Sequence, residues 1–243
     1  MKLTKGFAAI ALLTAASVAQ AGEFSATVTA VSDYDFRGVT QSAQGPALQA
    51  SVDFAADTGF YMGAWASNVD FGSGDPNIEI DAYAGWGGGE DVTWDLGITY
   101  YTYVNAGSSN YPEAHLGVGW KYFDVKAWYA WDYAGISGTN ERYFEGNVTY
   151  PLPANFGLTG HIGYSNGDGI TEAYVNPITD DCQSSYMDWS VGVTYTWKHF
   201  DMALKWVDGS DLKTVDGTYK DDVLSSEARA IFQVSTTFPW KDE

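Results

Sequence analysis

The chain lacks most of what would hold an ordinary exported globular domain together. It has one cysteine, Cys182, so no internal disulfide can form, and that thiol falls in a polar loop segment. After Ala21 no apolar run reaches the length of a spanning helix. Positive charge is scarce: 12 Lys and Arg stand against 31 Asp and Glu, a formal net charge of -19. That balance argues against nucleic acid and other polyanions as partners and favours cations, or simply solubility. Histidine is equally rare. His115 and His161 fall on an inward parity and His199 in a short turn, with no Cys/His metal-ligand spacing and no G-x-S-x-G. A twelve-stranded outer-membrane lipase would need Ser and His on its outer wall, so no catalytic group, metal or cofactor is predicted.

What is present begins with an address. Lys2 and Lys5 form a basic start, Gly6 to Val18 a short apolar run, and Ala19-Gln20-Ala21 a small-x-small cleavage site. These read as a secretory signal peptide over 1–21, leaving a single domain over 22–243 with a charge of -21 once the two lysines are gone. Aromatic residues are 16% of the chain, with 10 Trp and 17 Tyr, which suits a protein that meets two membrane interfaces.

Apolar residues then recur at every second position in twelve segments: Phe24–Phe36, Leu48–Phe54, Phe60–Ala66, Ile78–Trp86, Val92–Tyr100, Ala114–Trp120, Val125–Trp131, Phe144–Tyr150, Phe156–Tyr164, Trp189–Trp197, Phe200–Trp206 and Ala228–Phe238. Period two is the mark of a strand with different surroundings on its two faces. Five short turns alternate with six long polar connections. A soluble sandwich has no reason to gather every short turn at one end, whereas an outer-membrane barrel does. The predicted fold is all-β: a transmembrane antiparallel β-barrel of about twelve strands, with short periplasmic turns and long extracellular loops. Trp86, Trp94, Trp120, Tyr150, Phe156, Trp197 and Phe200 flank the short turns on the apolar face and read as the periplasmic girdle.

The other parity carries the candidate lumen. Its acids include Asp33, Asp35, Asp53, Glu79, Asp81, Asp95, Glu113 and Glu145, its bases Arg37, Lys126, Lys205 and Arg229, and its imidazoles His115 and His161. Two readings stay open. The acids make a pore that favours cations, or acids and bases pair across the wall and fill it. Arg37, beside Asp33 and Asp35 at the outer end of the first strand, reads as either a constriction cation or an intrastrand pair, the pair being the leading reading, with Tyr34 and Phe36 facing lipid. Acidic loop pairs such as Asp168-Gly169, Asp180-Asp181, Asp208-Gly209, Asp216-Gly217 and Asp221-Asp222 read as solvated turns, since they lack the regular calcium-loop spacing.

The stretch Ser32-Asp33-Tyr34-Asp35-Phe36-Arg37-Gly38-Val39-Thr40-Gln41-Ser42, followed by Pro46-Ala47-Leu48-Gln49-Ala50, resembles the opening of the TorF-type porin family of proteobacterial outer-membrane proteins. The resemblance implies a porin-like barrel and no particular solute. It departs at the end, where Phe238-Pro239-Trp240 is followed by Lys241-Asp242-Glu243 instead of closing on an aromatic. The leading expectation is passive diffusion of small hydrophilic solutes with cation preference, in contact with outer-membrane lipid and lipopolysaccharide. The competing expectations are a closed barrel that works through its loops as an adhesin or structural protein, an outer-membrane hydrolase, and a soluble periplasmic sandwich.

Overall fold

The computed structural model describes residues 22–72, 76–173, 184–210 and 222–240. The leader, Cys182 and the acidic pairs at 180–181 and 216–217 lie outside the described residues, as do Asp211 and Asp221.

Among the described residues, twelve strands close into one antiparallel barrel. They are β1 (Glu23–Val31), β4 (Ala47–Ala55), β5 (Phe60–Asn68), β6 (Ile78–Gly89), β7 (Val92–Tyr103), β8 (Tyr111–Trp120), β9 (Phe123–Trp131), β10 (Asn140–Pro151), β11 (Phe156–Asn166), β12 (Ser185–Trp197), β13 (Phe200–Ser210) and β14 (Arg229–Phe238). A two-stranded hairpin, β2 (Asp35–Phe36) with β3 (Val39–Thr40), stands apart from them. Each barrel strand pairs with its sequence neighbour, and β1 pairs with β14 from Ala26↔Phe238 to Val31↔Gln233. At that seam Thr27 Oγ1 and Thr237 Oγ1 are 2.9 Å apart. Closure leaves no unpaired edge, the condition for a sheet to cross lipid.

All five short turns lie at one end, together with both ends of the barrel chain, and all long connections lie at the other. We call these the turn end and the loop end. The outer face is apolar and exposed from end to end: Leu48, Val52, Leu96, Ile98, Leu116, Val125, Ile162, Val191 and Leu204 all point outward. Trp86, Trp94, Trp120, Tyr150, Phe156 and Trp197 ring it at the turn end, and Tyr100, Phe144, Tyr164, Trp189 and Trp206 at the loop end. In water such a belt would drive aggregation; around a barrel it is the lipid-facing band with its two girdles.

Three expectations change. β1 ends at Val31, not at Phe36. Asp208-Gly209 belongs to the end of β13, in register with Trp189 and Asp188, and Asp168-Gly169 opens a short helix, α1 (Asp168–Ala173). The buried apolar groups also gather at the loop end, inside the barrel. Val31, Tyr34, Ala47, Val69, Val207 and Ile231 form one cluster. Val39, Tyr101, Tyr111, Ala130, Tyr133, Ile170 and Tyr186 form the other, with Phe36 packed against it.

Candidate functional site

The stretch after β1 does not continue up and out of the barrel. It folds inward as the β2–β3 hairpin, with Asp35↔Thr40 and Phe36↔Val39 in register. Arg37 (φ 53) and Gly38 (φ 82) form its two-residue turn. Two consecutive positive φ values are those of a type I′ turn, whose twist matches a tight hairpin. Glycine takes that conformation freely, but arginine does so at a cost. The tip is also close to the wall: a Cβ on Gly38 would stand 2.6 Å from Asp188 Cβ and 3.2 Å from Gly209 Cα.

The hairpin leaves from β1 and its Arg37 reaches β8 and β10, on the far side of the barrel in the strand order. Arg37 Nη2 donates to Glu113 Oε1 and Oε2 at 2.7 and 2.8 Å, and Nη1 to Glu141 Oε2 at 2.5 Å. Glu113 and Glu141 flank Ala130 of β9 at one height of the wall, each in register with it. Tyr101 Oη donates to Glu113 Oε2 at 2.9 Å. The guanidinium lies 4.3 Å over the Tyr143 ring and 4.7 Å over Phe36. Burial opposes its charge, but the two carboxylates outweigh burial and hold it protonated above the ordinary arginine range.

A second arginine secures the base of the hairpin. Arg229 of β14 donates from Nε to Asp33, from Nη2 to Asp35 Oδ1 at 2.5 Å, and from Nη1 to the Gly38 carbonyl at 3.3 Å. Thr40 Oγ1 donates to Asp33, and the Tyr34 amide to Ser42 Oγ at 2.9 Å. Burial pushes the Asp35 carboxyl up from 3.8 to about 6, against the pull of Arg229 and with the help of Asp188 and Asp33. Burial, then the charges of Glu79 and Asp81, push the Tyr34 hydroxyl well up, so it remains a donor.

These contacts overturn the expected pairing. Arg37 bonds neither Asp33 nor Asp35; those two belong to Arg229, while Arg37 crosses the lumen. Tyr34 and Phe36 do not face lipid either. Tyr34 packs edge-on to Trp65 at 5.3 Å and Phe36 to Tyr101 at 6.0 Å, both inside. The physical reason is the turn: a type I′ hairpin reverses the chain after two residues, and only the lumen offers its guanidinium two carboxylates.

The remaining candidates fall in two zones. Glu79 and Asp81 of β6 are buried at the loop end, and Glu79 Oε2 and Asp81 Oδ1 have no hydrogen-bond partner. Although His115 is buried and the His161 ring reaches the buried Asp188 of the loop end, most inward residues nearer the turn end keep partial contact with water. There Asp95 accepts from Tyr61 Oη at 2.7 Å and Lys126 Nζ at 3.2 Å, and meets His115 Nε2 at 2.7 Å. Asp53 accepts from Tyr83 Oη and from Ser51 Oγ. Glu145 accepts from Trp128 Nε1 at 2.8 Å. His161 lies between Asn147 Oδ1, 2.6 Å from Nδ1, and Asp188 Oδ1, 2.8 Å from Nε2. The Asn147 amide nitrogen is committed to Asp124 and Glu145, and the Tyr143 hydroxyl joins the same group, 2.9 Å from His161 Nε2 and bonded to Asp188. Lys205 points inward opposite Gly192. Among the described residues no three His, Cys, Asp or Glu side chains converge to hold a metal ion.

Glu141 was not among the sequence candidates. Its signal was there: carrying the alternation of the eighth segment two residues upstream of Tyr143 puts Glu141 on the inward face. Tyr101, Tyr143 and Phe36 were missed as groups that surround the cation, because period alone cannot say which inward rings meet a charge.

A closed twelve-stranded transmembrane barrel with an inward hairpin from its first long loop is thus the class of protein that fold and site define. The chain belongs to the Gcw_chp family, described as bacterial proteins of unknown function, whose profile matches residues 15–238. No curated protein sequence matches the chain. Among solved structures the fold is similar to the NanC porin, with a TM-score of 0.56 at 10% identity, covering 88% of this chain and 98% of that one. It is similar also to the KdgM porin, with a TM-score of 0.53 at 10% identity, covering 90% and 99%. KdgM in complex with disordered oligogalacturonate gives 0.52 at 9% identity, covering 90% and 99%.

Proposed function

We propose that the protein is a porin-like channel of the outer membrane, for small hydrophilic solutes and with cation preference, held shut by its first long loop. The observation that carries the reading is the charge of the wall behind the hairpin. Among the described residues, the buried charged side chains of the loop-end wall are Glu79, Asp81, Glu113, Glu141 and Asp188 against Arg229. Buried acid in such excess is costly as a mere packing device, and it is the lining of a cation pathway. The opening stretch, with its likeness to TorF-type porins, and the porin fold of the structural neighbours point the same way. The oligogalacturonate of the KdgM complex does not carry over, because a polyanion would meet an acidic wall here.

The protein should fractionate with the outer membrane and shift its gel mobility on heating, as closed barrels do. In planar bilayers, a variant with residues 33–42 replaced by a short Gly/Ser linker should give conductance steps whose reversal potentials favour cations. Wild type should open rarely. A variant that assembles and conducts nothing at any voltage would rule the channel out.

A second reading rests on the same seal: a permanently closed barrel that acts through its extracellular loops. The ion pairs of Arg37, Arg229 and Lys126 favour it. The unpartnered oxygens of Glu79 and Asp81 count against it, since a wall built only to be filled has no use for them. The hairpin-replacement variant separates the two readings.

A further inference from the structure

The seat of Arg37 is a complete binding site for a guanidinium ion, and its occupant belongs to a hairpin rather than to the wall. Glu113 offers both oxygens of its carboxylate to one terminal nitrogen, Nη2, at 2.7 and 2.8 Å. Glu141 takes a second edge of the ion at 2.5 Å. Tyr143 supplies an aromatic face at 4.3 Å and Trp128 another at 5.8 Å. Tyr101 holds Glu113 in place through its hydroxyl. Planar ion, forked donors, carboxylates and ring faces together are the features that distinguish guanidinium from a simple metal cation.

Two observations show that the site exceeds the needs of one structural ion pair. Its carboxylates carry two negative charges against one positive, and the second oxygen of Glu141, Oε1, is buried beside the Ser165 hydroxyl and takes no bond from Arg37. The wall side of the site is also built wholly from barrel strands. Glu113, Glu141, Trp128, Tyr101 and Tyr143 stand on β7 to β10, so when the hairpin leaves, every group except Phe36 stays in place.

We infer that this site is the solute-selecting constriction of the channel, that it takes small organic cations bearing a guanidinium group, and that Arg37 occupies it as a built-in competitor. This rests on the channel reading above and names its solute class. A guanidinium solute arriving at the loop end competes with Arg37 for Glu113 and Glu141. Its binding favours the state in which the hairpin is out, because only that state has the site free. Solute and gate are thereby coupled through one pair of carboxylates. Neutral solutes of the same size make neither the charge-assisted bonds nor the contact with the ring faces, and so neither enter preferentially nor open the channel.

L-Arginine and L-citrulline test this, since they match in size and differ in guanidinium against neutral ureido. In proteoliposomes holding the full chain, Arg37→Ala should pass arginine about tenfold faster than citrulline. The triple variant Arg37→Ala, Glu113→Gln, Glu141→Gln should bring the two rates together. In planar bilayers wild type should open more often when arginine is added, and not when citrulline is added. The inference is overturned if Arg37→Ala conducts potassium with cation preference yet passes both solutes alike, or if the preference survives in the triple variant. Should Arg37→Ala fail to assemble, the wild-type bilayer result decides: equal response to the two solutes overturns it. If no form of the protein conducts any ion, the channel reading itself falls and takes this one with it.

Discussion

The two ends of one barrel, built on the same strands with the same alternation, end up different. At the loop end the inward side chains are sealed: Glu113 is 0% exposed, Glu141 1% and Glu79 2%. At the turn end the inward groups of the same strands keep water, as Thr27, Ser51, Thr93 and Asn147 show. Strand pattern cannot cause this, because it is continuous. The difference comes from what is added. At the loop end, buried tyrosines at 101, 111, 143 and 186 narrow the lumen and a hairpin fills what is left. At the turn end, Ser, Thr and Gly leave room. A barrel wall therefore specifies that there is a lumen, and an inserted segment specifies where it is shut.

The sharpest way to break the contrast is Arg37→Ala. It leaves Glu113 and Glu141 buried without a cation, a loss of about 3–5 kcal/mol for removing one partner of a buried pair. The seated state should lose occupancy by about a hundredfold or more, read as open probability in planar bilayers. Arg37→Lys should rescue only in part, because one ammonium cannot span both carboxylates with forked bonds. An unchanged open probability in Arg37→Ala would show that the ion pairs do not hold the hairpin.

Next comes pH. In the seated hairpin the Asp35 carboxyl has a pKa of about 6, against 3.8 in its ordinary state. Between those values the seated form binds a proton that the released form does not. That contribution to closure is fully present below about 4 and is lost as pH rises through about 6. It amounts to at most about 3 kcal/mol. Wild type should open more at pH 7 than at pH 5, and Asp35→Asn should flatten the step. Arg229, Asp188, Asp33 and the His161 ring all act on Asp35, so the Asp35→Asn comparison is what assigns the step to its carboxyl. Opening on acidification instead would show that Asp35 does not set the pH step.

Gly38→Ala should act more weakly and in the same direction. The position has φ 82, and an added Cβ would meet Asp188 Cβ at 2.6 Å. A cost of about 1–2 kcal/mol is expected, as a smaller rise in open probability with unchanged heat stability of the barrel.

Most of the wall was legible in the sequence, because lipid imposes one requirement on every outward position and the lumen a contrary one on every inward position. Twelve segments and the strict alternation of turn lengths follow from it. The hairpin's direction was not legible. Asp33, Tyr34, Asp35 and Phe36 continue the alternation of β1, so they read as more strand, and the partners that draw Arg37 inward lie 76 and 104 residues away in the chain. Arg229 and Asp33 are separated by 196 positions. Local pattern fixes faces; which charge meets which across a lumen depends on closure of the whole barrel.

The mildest test concerns independence of the two ends. Tyr61 Oη donates to Asp95, which also meets His115 and Lys126. Tyr61→Phe removes one of those bonds and leaves the carboxylate its other partners, so the cost is about 1 kcal/mol. If the ends are independent, the barrel should lose a little heat stability while open probability and its pH step stay as in wild type. If Tyr61→Phe unseats the hairpin, then the turn-end network holds the gate through His115, whose β8 neighbour on the same face is Glu113, and the division of the lumen into two zones fails.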